Sequence, residues 1–163
     1  MITDASKNEQ IAHLVAHLIS KNITIATAES CTAGMIAATL GNVPGVSAIF
    51  SEGFVTYSNE AKEKNLGVPH ETLLNHGAVS EATACAMAEG VCKRTGARVG
   101  ISATGIAGPD GGTAEKPVGL VYIGVCLDGE THVKKCIFPG NRDRVRTSTV
   151  ITAFDELKKR LNL

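Results

Sequence analysis

Ile23-Thr24-Ile25-Ala26-Thr27-Ala28-Glu29-Ser30-Cys31-Thr32-Ala33-Gly34, running on into Met35-Ile36-Ala37-Ala38-Thr39-Leu40, sets the class of the fold. Isoleucine and threonine dominate residues 23–27, which read as a short buried strand. Met35 to Leu40 is a run of small apolar residues suited to a helix. Ala28 to Gly34 joins the two as a strand-to-helix junction. A strand that hands over directly to a helix belongs to an α/β sheet.

Upstream, Ile11, Leu14, Val15 and Leu18 recur at helical spacing, so residues 5–20 form a helix with Asp4 or Ser6 as its cap. Downstream, Gly41 to Gly45 is a turn cluster and Ile49 to Tyr57 a strand. Ser58 and Asn59 then cap a short helix over Glu60 to Leu66. A Gly-, Pro- and His-containing connection leads to Ser80-Glu81-Ala82-Thr83, which opens a helix reaching about Thr95. Arg98 to Ala103 is a strand, and Gly105 to Gly119 a long loop rich in Gly and Pro. Leu120 to Leu127 and His132 to Phe138 are strands joined through Asp128-Gly129, a tight hairpin signal. Arg142 to Leu161 is the closing helix. The hairpin makes at least one strand antiparallel, so the expectation is one α/β domain over residues 1–163 with a mixed sheet.

The 163 residues suit a single domain, 44% of them hydrophobic and 20% charged. Sixteen basic side chains balance sixteen acidic ones. Nucleic-acid binding draws its affinity from a basic excess, so no nucleic-acid partner is expected. A few local Arg or Lys residues would still suffice for one small anion. The cysteines, Cys31, Cys85, Cys92, Cys126 and Cys136, are odd in number and lack CxxC spacing, which argues against a disulfide framework or zinc. His13 and His17 lie four apart, but Leu14 occupies the position of the HExxH glutamate and no third ligand is evident, so no metal is expected. With no leader-like N-terminus and no run long enough to span a bilayer, a cytoplasmic protein without membrane contact is expected.

Candidate chemistry lies at strand ends, where open α/β sheets bind ligands. Ser30 fits two roles when read alone. It is either the N-cap of the following helix, or a hydroxyl facing the crevice beside helix N–H groups that favour an anion or oxyanion. Cys31 is a rival nucleophile or a packed thiol. Lys62, in the first turns of its helix, either pairs in solvent with Glu60 or Glu63, or acts as a general base. In the second case the helix dipole and burial would both lower its pKa. Tyr57 ends the preceding strand and could relay a proton or hold the lysine. The glycines of 105–119 allow close backbone approach to a ligand, although neither a Walker loop nor a GxGxxG fingerprint is present. Arg142 and Arg146 share one helix face and could clamp a phosphate or carboxylate, or pair with surface acids.

Taken together, TAESCTAG (27–34), FVTYSNEAKEKNLGV (54–68), HGAVSE (76–81), SATGIAGPDGGTAEKPVG (102–119) and GNRDRVR (140–146) resemble the CinA C-terminal domain family, whose stand-alone members are nicotinamide-nucleotide amidohydrolases of the PncC type. The match is colinear over nearly the whole chain. The resemblance implies a three-layer α/β/α single domain on a mixed, mostly parallel sheet of about five strands. It implies hydrolysis of the carboxamide of nicotinamide mononucleotide, without metal or cofactor, in a homodimer. It makes Ser30 the nucleophile, Lys62 the general base and Tyr57 the third member of the catalytic group. Thr32, Gly34, Thr104, Gly105, Gly108, Asp110, Gly111, Gly112 and Lys116 would line the nucleotide site, with Arg142 and Arg146 toward the phosphate or oxyanion. Asn141 and Arg144 depart from the usual family pattern. A nucleotide-binding paralogue without turnover, or an amidase for another nucleotide-like carboxamide, would share all these motifs.

Overall fold

The computed structural model describes residues 4–163. Strand β1 (Ile25–Glu29) is buried along its whole length and lies inside the sheet, flanked on both sides. On one side it pairs in parallel with β2 (Phe50–Val55), and on the other with β3 (Val99–Gly105), also in parallel. Then β4 (Leu120–Leu127) runs antiparallel to β3, and β5 (Glu130–Ile137) antiparallel to β4, giving the order β2-β1-β3-β4-β5. Only β4 is reversed. Asp128 and Gly129, at φ 51° and 89°, form the two-residue turn that joins β4 to β5, because both central residues of that tight turn need positive φ.

Among the described residues, six α-helices cover the two faces. Helices α1 (Ala5–Ser20), α2 (Met35–Gly41) and α6 (Arg142–Arg160) enclose the larger core with Ile25, Val99, Ile101, Ala103, Val121, Ile123 and Val125. Helices α3 (Asn59–Leu66), α4 (His70–His76) and α5 (Glu81–Thr95) cover the other face, where Leu66, Leu73, Met87 and Val91 pack on Ala26 and Ala28. Alternation along β1 therefore sends Ile25 to the α1/α2/α6 layer and Ala26 and Ala28 to the α3/α4/α5 layer.

The second face is made of small residues for a reason. A Cβ on Gly100 would run into the carbonyl of Ala88, and one on Gly124 would lie 2.8 Å from that of Ala84. Between them Ser102 Oγ donates to the Ala84 carbonyl at 2.6 Å. Helix α5 thus sits directly on the backbone of β3 and β4.

The element boundaries follow the sequence signals closely, with Asp4, Ser58, Ser80 and Asn141 as side-chain caps of α1, α3, α5 and α6. Two differences bear on the site. The first strand begins at Ile25 and runs on to Glu29, because the Ile23 amide turns back to the Leu18 carbonyl. The connection before Ser80 contains α4, whose single buried residue, Leu73, leaves no apolar stripe in the sequence to reveal it.

Candidate active site

Ser30 follows directly on β1. Its amide donates to the Ala103 carbonyl of β3 at 2.9 Å, so the sheet ladder continues one residue past the strand and fixes the backbone there. Its side chain is 9% exposed. Ser30 is not a helix cap, since the N-cap position of α2 belongs to Gly34, which has no side chain to offer. The capping is done by Glu29. This carboxylate is wholly buried and accepts from the amides of Gly34 and Ile36 at 3.0 Å and of Ala37 at 2.9 Å. The expectation that these helix N–H groups face a ligand is therefore corrected, because the chain's own acid consumes them. Between Glu29 and the helix, Ala33 and Gly34 adopt φ of 49° and 91°. Two consecutive left-handed residues turn the chain sharply enough for a carboxylate five residues back to reach the helix start.

Lys62 approaches from α3. It is fully buried, with no carboxylate partner among the described residues. Its Nζ lies 3.2 Å from Ser30 Oγ, 2.8 Å from the Thr56 carbonyl and 3.4 Å from the Tyr57 carbonyl. Burial lowers its pKa below the usual lysine value, offset in part by the neighbouring Cys31 thiol. The cause is desolvation, and the pairing with Glu60 or Glu63 that sequence alone left open does not occur. A neutral amine here has two hydrogens for the two carbonyls and a lone pair for the serine hydroxyl. Cys31 is a poor rival nucleophile, since burial pushes its thiol up to about 12.

Tyr57 contributes its backbone to Lys62, while the residue as a whole is 57% exposed and its hydroxyl accepts from Arg142 at 2.9 Å. Arg142 also donates to the Gly108 carbonyl at 2.9 Å, linking the end of β2 to the glycine-rich loop. Arg146 donates to the Thr32 carbonyl at 2.9 Å. Neither arginine pairs with an acid among the described residues. Thr32 is fully buried and its Oγ1 has no hydrogen-bond partner. Thr104, at the end of β3, donates to the Ala78 carbonyl at 2.7 Å, and Lys116 donates to the His76 carbonyl at 2.8 Å. Those two bonds bring the His76–Ser80 connection against the strand end and the loop. A Cβ on Gly105 would lie 2.6 Å from the Leu120 carbonyl, Gly108 and Gly111 hold φ of 80° and 88°, and Asp110 and Gly112 are exposed on the loop.

Elsewhere the chemistry is bland. His13 lies exposed, 4.0 Å from Glu9, and no group of three or more His, Cys, Asp or Glu among the described residues could hold a metal ion. No described helix is long and apolar enough to cross a membrane. Asn141 caps α6 by accepting from the Arg144 amide at 3.0 Å, a task Asn and Asp perform alike.

Comparison with known proteins agrees with this fold. A crystal structure of the competence/damage inducible protein CihA from Agrobacterium tumefaciens superimposes with a TM-score of 0.94 at 39% identity, covering 100% of this chain and 99% of that one. The competence damage-inducible protein A (ComA) of Klebsiella pneumoniae superimposes with a TM-score of 0.92 at 36% identity, covering 96% and 97%. A competence-damage inducible protein of Clostridium perfringens is 59% identical over 144 residues, 88% of this chain but 35% of that protein. The chain thus spans little more than a third of the curated relatives it matches. Residues 7–161 match the model of the CinA C-terminal domain, and the chain belongs to that family.

Proposed function

We infer that this protein hydrolyses the carboxamide of nicotinamide mononucleotide to nicotinic acid mononucleotide and ammonia. One observation carries the reading: a buried lysine amine, free of any acid, lies 3.2 Å from the hydroxyl of a serine held at a strand end. Neutral Lys62 takes the Ser30 proton as Oγ attacks the carboxamide carbon. The resulting Lys62 ammonium returns that proton to the departing nitrogen as the C–N bond breaks, so ammonia leaves and an ester remains on Ser30. Water then attacks the ester, with Lys62 again as base, and frees the acid.

The oxyanion needs donors that are not already engaged. The α2 amides are held by Glu29, whereas among the described residues the Cys31 and Thr32 amides donate to no backbone acceptor and to no other residue's side chain. They are the natural donors, each contributing on the order of 3 kcal/mol to the transition state. Tyr57 acts through its carbonyl on Lys62 rather than as a proton relay, since its hydroxyl is engaged by Arg142. Arg142, with no acidic partner, suits the nucleotide phosphate, and the glycine-rich loop lets the substrate approach its backbone.

Incubation with nicotinamide mononucleotide, with assay of ammonia and of the deamidated nucleotide, tests the reading. Wild type should form both in equal amounts and Ser30→Ala neither. Binding of the nucleotide without turnover by wild type would overturn it.

A further inference from the structure

Glu29 is the only acid fully buried among the described residues, and it has no basic partner. Its two oxygens meet three amides, Gly34 and Ile36 on one and Ala37 on the other. These bonds close the segment 30–34 into a loop anchored at both ends by one residue: covalently at Ser30 and through hydrogen bonds at the start of α2. Inside the loop the Ala33 amide donates back to the Ser30 carbonyl at 3.1 Å, and Arg146 grips the Thr32 carbonyl from α6. The Ser30 side chain, the Cys31 and Thr32 amides and the left-handed Ala33 all lie within this span. Strand alternation turns Glu29 toward α2 and Ser30 toward Lys62, so the acid fixes the backbone without offering the amine a counter-ion.

We propose that Glu29 is a positioning residue that holds Ser30 Oγ at attacking distance from substrate and from Lys62 by clamping the three amides that start α2. This rests on the Ser30–Lys62 reading above. A glutamine has one acceptor oxygen, and its NH2 group would oppose at least one of the three N–H donors. Glu29→Gln should therefore loosen the loop while leaving Arg142 and the glycine-rich loop, which suit the nucleotide, in place.

The test measures modification of Ser30 by a fluorophosphonate, a serine-directed reagent that needs no nucleotide, alongside ammonia release. Glu29→Gln is expected to slow labelling at least tenfold and to lower kcat by a similar factor, with KM within twofold of wild type and the acid limb of the pH profile unmoved. If that variant does not fold by circular dichroism, Glu29→Asp, which keeps the charge but is one methylene short, carries the same expectation. Labelling within twofold of wild type, or slowed only in proportion to the unfolded fraction, overturns the proposal. Wild type that is labelled at Ser30 yet releases no ammonia overturns the substrate reading alone. Failure to label wild-type Ser30 overturns both.

Discussion

At the scale of single residues, the site turns on a lysine whose surroundings contain carbonyls and a hydroxyl but no acid. To serve as the proposed base the amine must shed its proton, and burial shifts that event below the usual pKa of 10.5. Activity should rise with pH along a limb governed by Lys62 and lying below the ordinary lysine range. Lys62→Arg, which stays protonated, should lose that limb and nearly all turnover, and a rate–pH profile of the variant matching wild type would remove Lys62 as the base. Ser30→Ala should lower kcat by about 10⁴-fold or more, whereas Cys31→Ala should retain activity within a few-fold, as expected of a protonated, packed thiol. Ammonia assays on the two variants separate the neighbours. Ser30, Lys62 and Tyr57 were legible as candidates from their places at strand ends and in the first turns of a helix. Glu29 was not, because an acid in a buried strand five residues before the N-cap matches no capping pattern. Only the left-handed turn at Ala33 and Gly34, invisible in composition, brings it round.

At the scale of elements, α5 is seated closely on β4 and on β3, the strand that receives the Ser30 amide. Gly124 faces Ser102 Oγ at 2.5 Å and the Ala84 carbonyl at 2.8 Å from where a Cβ would stand. Gly124→Ala should therefore cost about 1–3 kcal/mol of stability through overpacking, read as a lower midpoint in urea denaturation at unchanged slope. A midpoint equal to wild type would mean that the helix can back away freely. Strands and long helices were readable because their apolar positions repeat at two or at three to four residues. The hairpin was readable because Asp-Gly names its own turn. Helix α4 escaped because two turns with one buried leucine carry no period, and its neighbour Leu74 is 69% exposed. Yet α4 matters to the site, since its last residue, His76, offers the carbonyl that holds Lys116.

At the scale of the whole molecule, a buried amine with no acid beside it sets the proposed function against stability. Lys62 has its pKa lowered in the folded state, so the folded protein releases this proton more readily than the unfolded chain. Below the folded pKa both states are charged and the folded one bears the full desolvation penalty. As pH rises from the folded pKa toward 10.5, the unfolded state binds more protons and stability increases. Lys62→Met should accordingly fold more tightly at neutral pH, by about 1 kcal/mol, with the gain shrinking as pH approaches 10. Melting curves across pH test this, and a destabilised methionine variant at pH 6 would show that the amine's three hydrogen bonds outweigh its desolvation.

The order of Glu29 and Ser30 along the chain has a strict structural meaning. Neighbours along an extended chain look in opposite directions, so an error of a single residue in how β1 lies beside β3 would exchange them. The acid would then meet the amine and quench it as a salt, and the alcohol would be walled into the helix layer without a base. A lone inserted or deleted residue in Ile25–Glu29 would thus leave a chain with every reactive group intact and no reaction to perform.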